Sequence, residues 1–508
     1  MSNQSVLILG GGINGAATAR ELALNGTPVC LVDTGDLSFG ATAYSSRLIH
    51  GGLRYLEYGD FALVKESLAE RARLLRLAPS LVKPLRLFIP VENRWGGMRQ
   101  AIARFFGRPV NAPSASRGLQ LVRMGLWMYD TYARDRTLPR RSVHRLGDPA
   151  APPIHPAAGN WLCAYSDAQI TFPERLVIDL LRDAQSLAAE RGVSFEVLTY
   201  HRATLRGMTI ELRRTGDEAS EPVAAFVPAA IVNATGAWVD RTLARLPVPS
   251  QPLMGGTKGT HFFTWNTRLR EMLGGNGIYT EARDGRPVFL LPLSGGTLVG
   301  TTDIPFDGDP AAAVATEQEL EYLLAVASDV LPDASLTRDS IAWHYCGVRP
   351  LPFVDKTTPS TITRRHQLVW NEDCPVPLVS LVGGKLTTCR SLAEETAAAV
   401  LQRLGREVAG NSRERPVPAD DPQTLPGRVQ EVIQAEWVMQ LEDLVERRLM
   451  LLYNPNFSAQ TLHELAAALV AAGKLRSEDV PAAIARCTAR LRNHFGLDLS
   501  STQRKAQP

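Results

Sequence analysis

An unbroken apolar run, Val6 to Leu9, opens the chain and predicts a short strand buried on both faces. Gly10, Gly12 and Gly15 follow it at once in the spacing G-x-G-x-x-G. A helical pattern then runs from Ala16 to about Asn25, where Gly26 closes it. A second apolar run, Val29 to Val32, predicts another strand and ends on Asp33. Each piece has a physical task. Gly10 permits a tight turn, Gly12 lets the backbone approach a pyrophosphate, and Gly15 lets helix and strand pack closely. The helix start offers N–H groups to the phosphates, and Asp33 stands where a ribose hydroxyl pair is bound. This unit predicts a dinucleotide site and leaves FAD and NAD equally open.

The same pattern returns further along. Residues 226 to 236, FVPAAIVNATG, read as a strand running into Ala-Thr-Gly. Residues 376 to 384 form another buried run that ends on Gly383 and Gly384, and the helical LAEETAAAVLQRL comes soon after. Two strand–glycine–helix units, one near each end of this region, suggest a long cofactor held at both ends. The second helix start can stabilise negative charge on a reduced flavin. Between the units, TIELRR, THFFTW, VFLLPL and TLVGTTD alternate like strands and predict an antiparallel sheet in a separate substrate domain.

Composition narrows the class without choosing a function. With 508 residues the chain exceeds one compact core, so two or more domains are expected. A net charge of +3 favours neither nucleic acid nor acidic partners. The six cysteines, Cys30, Cys163, Cys346, Cys374, Cys389 and Cys487, lack metal-ligand spacing and fit a reducing compartment without disulfides. The N-terminus has no basic segment before its apolar run, and no stretch is long enough to span a bilayer. A cytoplasmic protein is expected. One stretch departs from this even composition. From Asn93 to Tyr129 there is no acidic residue, whereas Arg94, Arg99, Arg104, Arg108, Arg117 and Arg123 are basic. Trp95, Met98, Ile102, Phe105 and Phe106 fall on one helical arc within it. Such a basic amphipathic helix suits an anionic membrane surface.

Several strings together resemble the FAD-dependent respiratory glycerol-3-phosphate dehydrogenases. They are SSRLIHGGLRYLE (45 to 57), IVNATGAWVD (231 to 240), KGTHF (258 to 262), LVGTTD (298 to 303), CGVRPL (346 to 351) and VGGKLTTCR (382 to 390). The resemblance runs from about residue 5 to residue 400. It implies an α/β FAD-binding Rossmann-like domain of the glycine-oxidase-like flavoproteins, an antiparallel-sheet substrate domain and a small α-helical C-terminal cap. The expected FAD domain is discontinuous, over 1–80, 160–250 and 340–410. The substrate domain takes 81–159 and 251–339, with the basic insertion at about 93–129, and a shortened helical domain takes 411–508.

The implied reaction is oxidation of sn-glycerol 3-phosphate by non-covalent FAD, with ubiquinone or menaquinone as acceptor. The enzyme is expected to be peripheral on the cytoplasmic face of the inner membrane, with a homodimer allowed. Such chemistry needs an anion clamp, a base near the hydroxyl and a flavin facing the carbon that loses hydride. Arg54, Arg349, Arg364 and Lys385 are the cationic candidates, with Tyr55 beside them; arginine suits phosphate because its planar fork binds oxygens in pairs. His261 is the candidate base and, with Arg349, the catalytic pair. Ser45, Ser46, His50, Gly51, Gly52, Gly384 and Thr387 join the first glycines and Asp33 as cofactor candidates, and Thr387 and Thr388 also read as helix N-caps. Arg47 stands where the family usually carries Lys. Alternatives in view are an oxidase using oxygen, an enzyme acting on another hydroxy acid or amine, and a non-catalytic flavin-binding sensor.

Overall fold

A computed structural model describes residues 4–94, 118–133, 135, 137–217, 219–353 and 365–499. Its first sheet has six strands in the order Gln367–Asn371, Leu378–Val382, Ala230–Asn233, Val6–Leu9, Val29–Val32 and Phe195–Leu198. Neighbours run parallel except at Gln367–Asn371, which pairs antiparallel at the edge. The central strands are wholly buried, which explains why they read as continuous apolar runs. Full burial of side chains such as Leu7 and Ile8 contributes about 1.5–3 kcal/mol each.

The helix Ile13–Leu24 packs against Pro173–Glu190 and Cys389–Arg403. It begins three residues before the expected Ala16, because Gly12 is extended and serves as its N-cap. A Cβ on Gly15 would lie 1.9 Å from the Gly10 carbonyl oxygen, so only glycine permits this helix–turn contact. Gly10 itself has φ +105°, a conformation that side chains with a Cβ avoid.

A second, ten-stranded sheet carries the long strands Val82–Val91, Trp161–Ile170, Met254–Thr264 and Trp343–Pro352. Its pairings are antiparallel except between Gly277–Glu281 and Val82–Val91. Two expectations shift here. Trp161–Ile170 and Trp343–Pro352 belong to this sheet, so divisions at residues 160 and 340 cut through it. The TIELRR strand does not join it; Thr209–Arg214 forms a three-stranded sheet with His201–Arg206 and Ala224–Phe226. Phe226 is thereby separated from the strand Ala230–Asn233.

Residues 95–108, where the amphipathic helix was expected, lie outside the described residues. The helix Leu119–Ala133 is described, and it is part of the fold. Leu119, Val122, Leu126 and Tyr129 enter the main core, while Arg123, Met124 and Trp127 face outward. The C-terminal region holds the helices Val429–Ala435, Ala459–Ala471 and Val480–Phe495 and a π-helical turn at Asp443–Arg448. Its apolar faces merge with the same core through Tyr453, Leu491 and Phe495.

Candidate active site

A cavity of about 900 Å³ runs from the first glycine turn to the end of the ten-stranded sheet. That lies toward the upper end of the ~300–1,000 Å³ typical of small-molecule and cofactor sites. Gly10, Gly12, Asn14 and Asp33 line one stretch of it, and Gly383 and Gly384 another. Asp33 accepts hydrogen bonds from Gly11 N at 2.6 Å and Gly35 N at 2.8 Å. Burial pushes its carboxyl up, and those two N–H groups pull the other way. Asn14 Oδ1 is buried without a protein partner on the cavity wall. A glycine cradle, a carboxylate at the end of the second strand and an orphaned amide oxygen together fit a bound dinucleotide.

The same cavity is lined by most of the expected reacting groups: His50, Tyr55, His261, Arg349, Lys385 and Thr387. His261 lies on Met254–Thr264 and stacks on Tyr345, with ring centroids 4.9 Å apart. Its Nε2 is 2.8 Å from Ser46 Oγ, and its Nδ1 has no partner. Burial, then the charges of Arg349 and Arg47, hold its pKa well below the ordinary imidazole value. His50 is held near 4, first by burial and then by Lys385. Both rings are neutral at pH 7. Arg349 donates to Asp303 Oδ1 at 2.7 Å and to Thr301 Oγ1 and the Thr302 carbonyl at 3.0 Å, which fixes the guanidinium plane. Lys385 Nζ lies 3.8 Å from the centre of the Tyr55 ring, a cation–π contact.

Thr387 Oγ1 meets both the backbone N–H and the carbonyl of His50, and no side-chain cap bond forms at Thr388. Thr387 therefore ties two loops together, and the Thr388 side chain does not cap the helix. Ser45 and Ser46 line the cavity, and Ser46 spends its hydroxyl on His261.

Four expected residues are absent from the cavity wall. Gly15 serves packing alone. Gly51 and Gly52 were read as approaching the flavin, but a Cβ on Gly51 would strike Leu68 and Tyr129, and one on Gly52 would strike Tyr55. Arg54 is half-buried, with its Nε unpartnered. Arg364 lies outside the described residues. Arg47 grips Glu174 with both terminal nitrogens, at 3.0 and 2.7 Å, so its charge is spent inside the protein. Among the residues that the motifs did not flag are Arg447, Arg486 and Arg490, contributed to the wall by the C-terminal region. For Arg447 the signal was the charge-dense string EWVMQLEDLVERR (436 to 448), which carried no hint of a cofactor, and Arg486 and Arg490 lie beyond it.

A parallel sheet with this cradle, joined to a largely antiparallel sheet that carries cations and neutral histidines, defines a flavin-dependent oxidoreductase. Residues 5–390 match the DAO family, FAD dependent oxidoreductase. A glycerol-3-phosphate dehydrogenase of Synechocystis sp. is 34% identical over 431 residues, 79% of this chain and 70% of that protein. The D-erythritol 1-phosphate dehydrogenase of Brucella abortus is 32% identical over 400 residues, 77% of this chain and 72% of that protein. The structure of the glycerol-3-phosphate dehydrogenase from Bacillus halodurans complexed with FAD shares the fold. Its TM-score is 0.67 at 18% identity, over 96% of this chain and 95% of that one. The chain belongs to the FAD-dependent glycerol-3-phosphate dehydrogenase family within the DAO oxidoreductases, and FAD, left open by the first glycine motif, is its cofactor.

Proposed function

We propose that the protein oxidises sn-glycerol 3-phosphate to dihydroxyacetone phosphate and delivers the electrons to a membrane quinone, ubiquinone or menaquinone. One observation carries this reading: Arg349 and Lys385 line the same cavity as two neutral histidines, each cation close enough to depress the pKa of one of them. Two cations suit a phosphate dianion, and a neutral imidazole suits the removal of a hydroxyl proton. Bound FAD supplies the hydride acceptor.

The chain's own groups divide the remaining work. Arg349, its terminal nitrogens held by Asp303, Thr301 and Thr302, contributes fixed positive charge to the phosphate, and Lys385 adds a second point charge. His261 takes the hydroxyl proton, with the Ser46 hydroxyl as its hydrogen-bonding neighbour. Because Arg349 helps depress the His261 pKa, a dianion bound at Arg349 offsets that field and raises the basicity of the imidazole. Substrate binding thereby strengthens the base.

The test is anaerobic addition of sn-glycerol 3-phosphate while the visible flavin band is followed. Bleaching is expected, and an unchanged spectrum would refute the substrate. The likeness to a D-erythritol 1-phosphate dehydrogenase supports a second reading, a longer polyol phosphate. Faster bleaching by D-erythritol 1-phosphate would favour it. Reoxidation by quinone at a higher rate than by oxygen is expected of a dehydrogenase, and the reverse of an oxidase.

Membrane contact is part of the proposal. Among the described residues no helix is long and apolar enough to cross a membrane. The acid-free segment supplies positive charge, and Met124 (53% exposed) and Trp127 (54%) stand on the outer face of Leu119–Ala133 beside Arg123. Each basic side chain near an anionic surface contributes about 1 kcal/mol. Replacing Met124 and Trp127 with Ser is expected to reduce sedimentation with anionic liposomes and to lower quinone-linked turnover. Dye-linked turnover should stay near normal. Binding should also weaken at high salt, where surface charges are screened. Wild-type sedimentation by the double variant would remove this face from the proposal.

A further inference from the structure

The DAO match ends at residue 390, yet five side chains on the cavity wall come from beyond it: Gln440, Glu442, Arg447, Arg486 and Arg490. Two of them, Arg447 and Arg490, meet a segment with no regular structure. Residues 34–45 follow Asp33 as a run of turns and bends and form much of the same wall.

The C-terminal region grips that loop at successive points. Arg448 donates to both Asp36 oxygens, at 2.9 and 2.7 Å, and Arg447 Nε adds a third bond at 2.6 Å. All three side chains are buried, and the two guanidiniums hold the Asp36 carboxyl low against a burial effect that would raise it. Arg490 donates to Tyr44 Oη at 2.9 Å, and its guanidinium lies 5.1 Å from the centre of the Phe39 ring. Tyr200, on the cavity wall, donates to Asp443 Oδ1 at 2.5 Å, and Arg447 donates to the same oxygen at 3.2 Å. One π-helical turn, Asp443–Arg448, therefore joins the loop to Tyr200.

A buried ion cluster is a poor route to stability alone, since hydrophobic replacements often do as well. What it does supply is geometry. A loop without regular hydrogen bonding loses conformational freedom when a ligand binds, and prior ordering removes that cost from the binding equilibrium.

We propose that the C-terminal helical region is a cofactor-retaining clasp, in which Arg447 and Arg448 act through Asp36 to hold the loop 34–45 in its FAD-binding form. These are positioning residues that act on FAD affinity and leave substrate affinity alone. The proposal rests on the FAD site and is independent of which alcohol is oxidised.

The test is a titration of FAD into stripped protein, read by quenching of flavin fluorescence, for Asp36→Asn, Arg448→Lys and Tyr200→Phe. The FAD Kd is expected to rise about tenfold or more in the first two variants and less in the third. The KM for substrate at saturating FAD should stay unchanged. Limited proteolysis of the stripped variants should cut within residues 34–45. Folded variants, checked by circular dichroism, that bind FAD with the wild-type Kd would overturn the clasp. So would a raised substrate KM with an unchanged FAD Kd. If the two buried-charge variants fail to fold, Tyr200→Phe decides the matter, because it removes only one hydroxyl from a half-buried ring; a wild-type Kd there refutes the proposal.

Discussion

Replacing His261 with Ala is expected to slow anaerobic flavin reduction by about 10²–10⁴-fold while FAD stays bound. The proposed base is this buried, neutral imidazole on the cavity wall, and its loss leaves the Ser46 hydroxyl as a far weaker acceptor. Part of the lost rate should return at high pH, where the substrate hydroxyl is easier to deprotonate. The wild-type profile follows from the sign of the pKa shift. A depressed pKa keeps His261 unprotonated above about 6.5, the ordinary imidazole value. The limiting reduction rate should therefore be flat from pH 8 to 7 and fall only at lower pH. Stopped-flow measurement at saturating substrate checks both points, and normal flavin reduction by His261→Ala would end the assignment.

Arg349→Ala is expected to cut kcat/KM for sn-glycerol 3-phosphate by about 10- to 150-fold, the equivalent of one charged hydrogen bond of ~1.5–3 kcal/mol. Use of glycerol, which has no phosphate, should change little. Asp303 would lose its partner, but that side chain is 49% exposed and water can replace the guanidinium. Arg349→Lys keeps the charge without the fork and should fall between wild type and Ala. Equal losses with both alcohols would show that Arg349 only braces Thr301 and Thr302.

The nucleotide cradle was legible because its demands are local. Gly10, Gly12 and Gly15 meet their strand and helix within a few residues, and periodicity marks both elements. Gly51 shows the limit of that reasoning. A glycine advertises that something comes close, but only the fold reveals that Leu68 and Tyr129 do so. TIELRR was legible as a strand, yet alternation does not name its partner strands. Arg47 was legible only as standing where the family usually carries Lys, and the fold adds that Glu174 on a distant helix pairs with its charge. The C-terminal arginines were the least legible part of the site, since Arg447 and Asp36 are 411 residues apart and no local pattern joins them.

That separation has a consequence for biosynthesis. The loop at Asp36 emerges early, and its counterpart at Arg447 follows after about 20–80 s of elongation at ~5–20 residues per second. The first strand meanwhile waits for Ala230–Asn233 to take its place in the sheet, and that strand waits for Leu378–Val382. A growing chain thus carries the most recognisable flavin motif at its start without a finished flavin site. If the clasp holds the loop as proposed, tight FAD capture is a late event that follows release of the C-terminal helices. Under the proposed clasp, chains broken short of Arg447 would hold FAD more weakly, and flavin content would report chain integrity in dilute preparations.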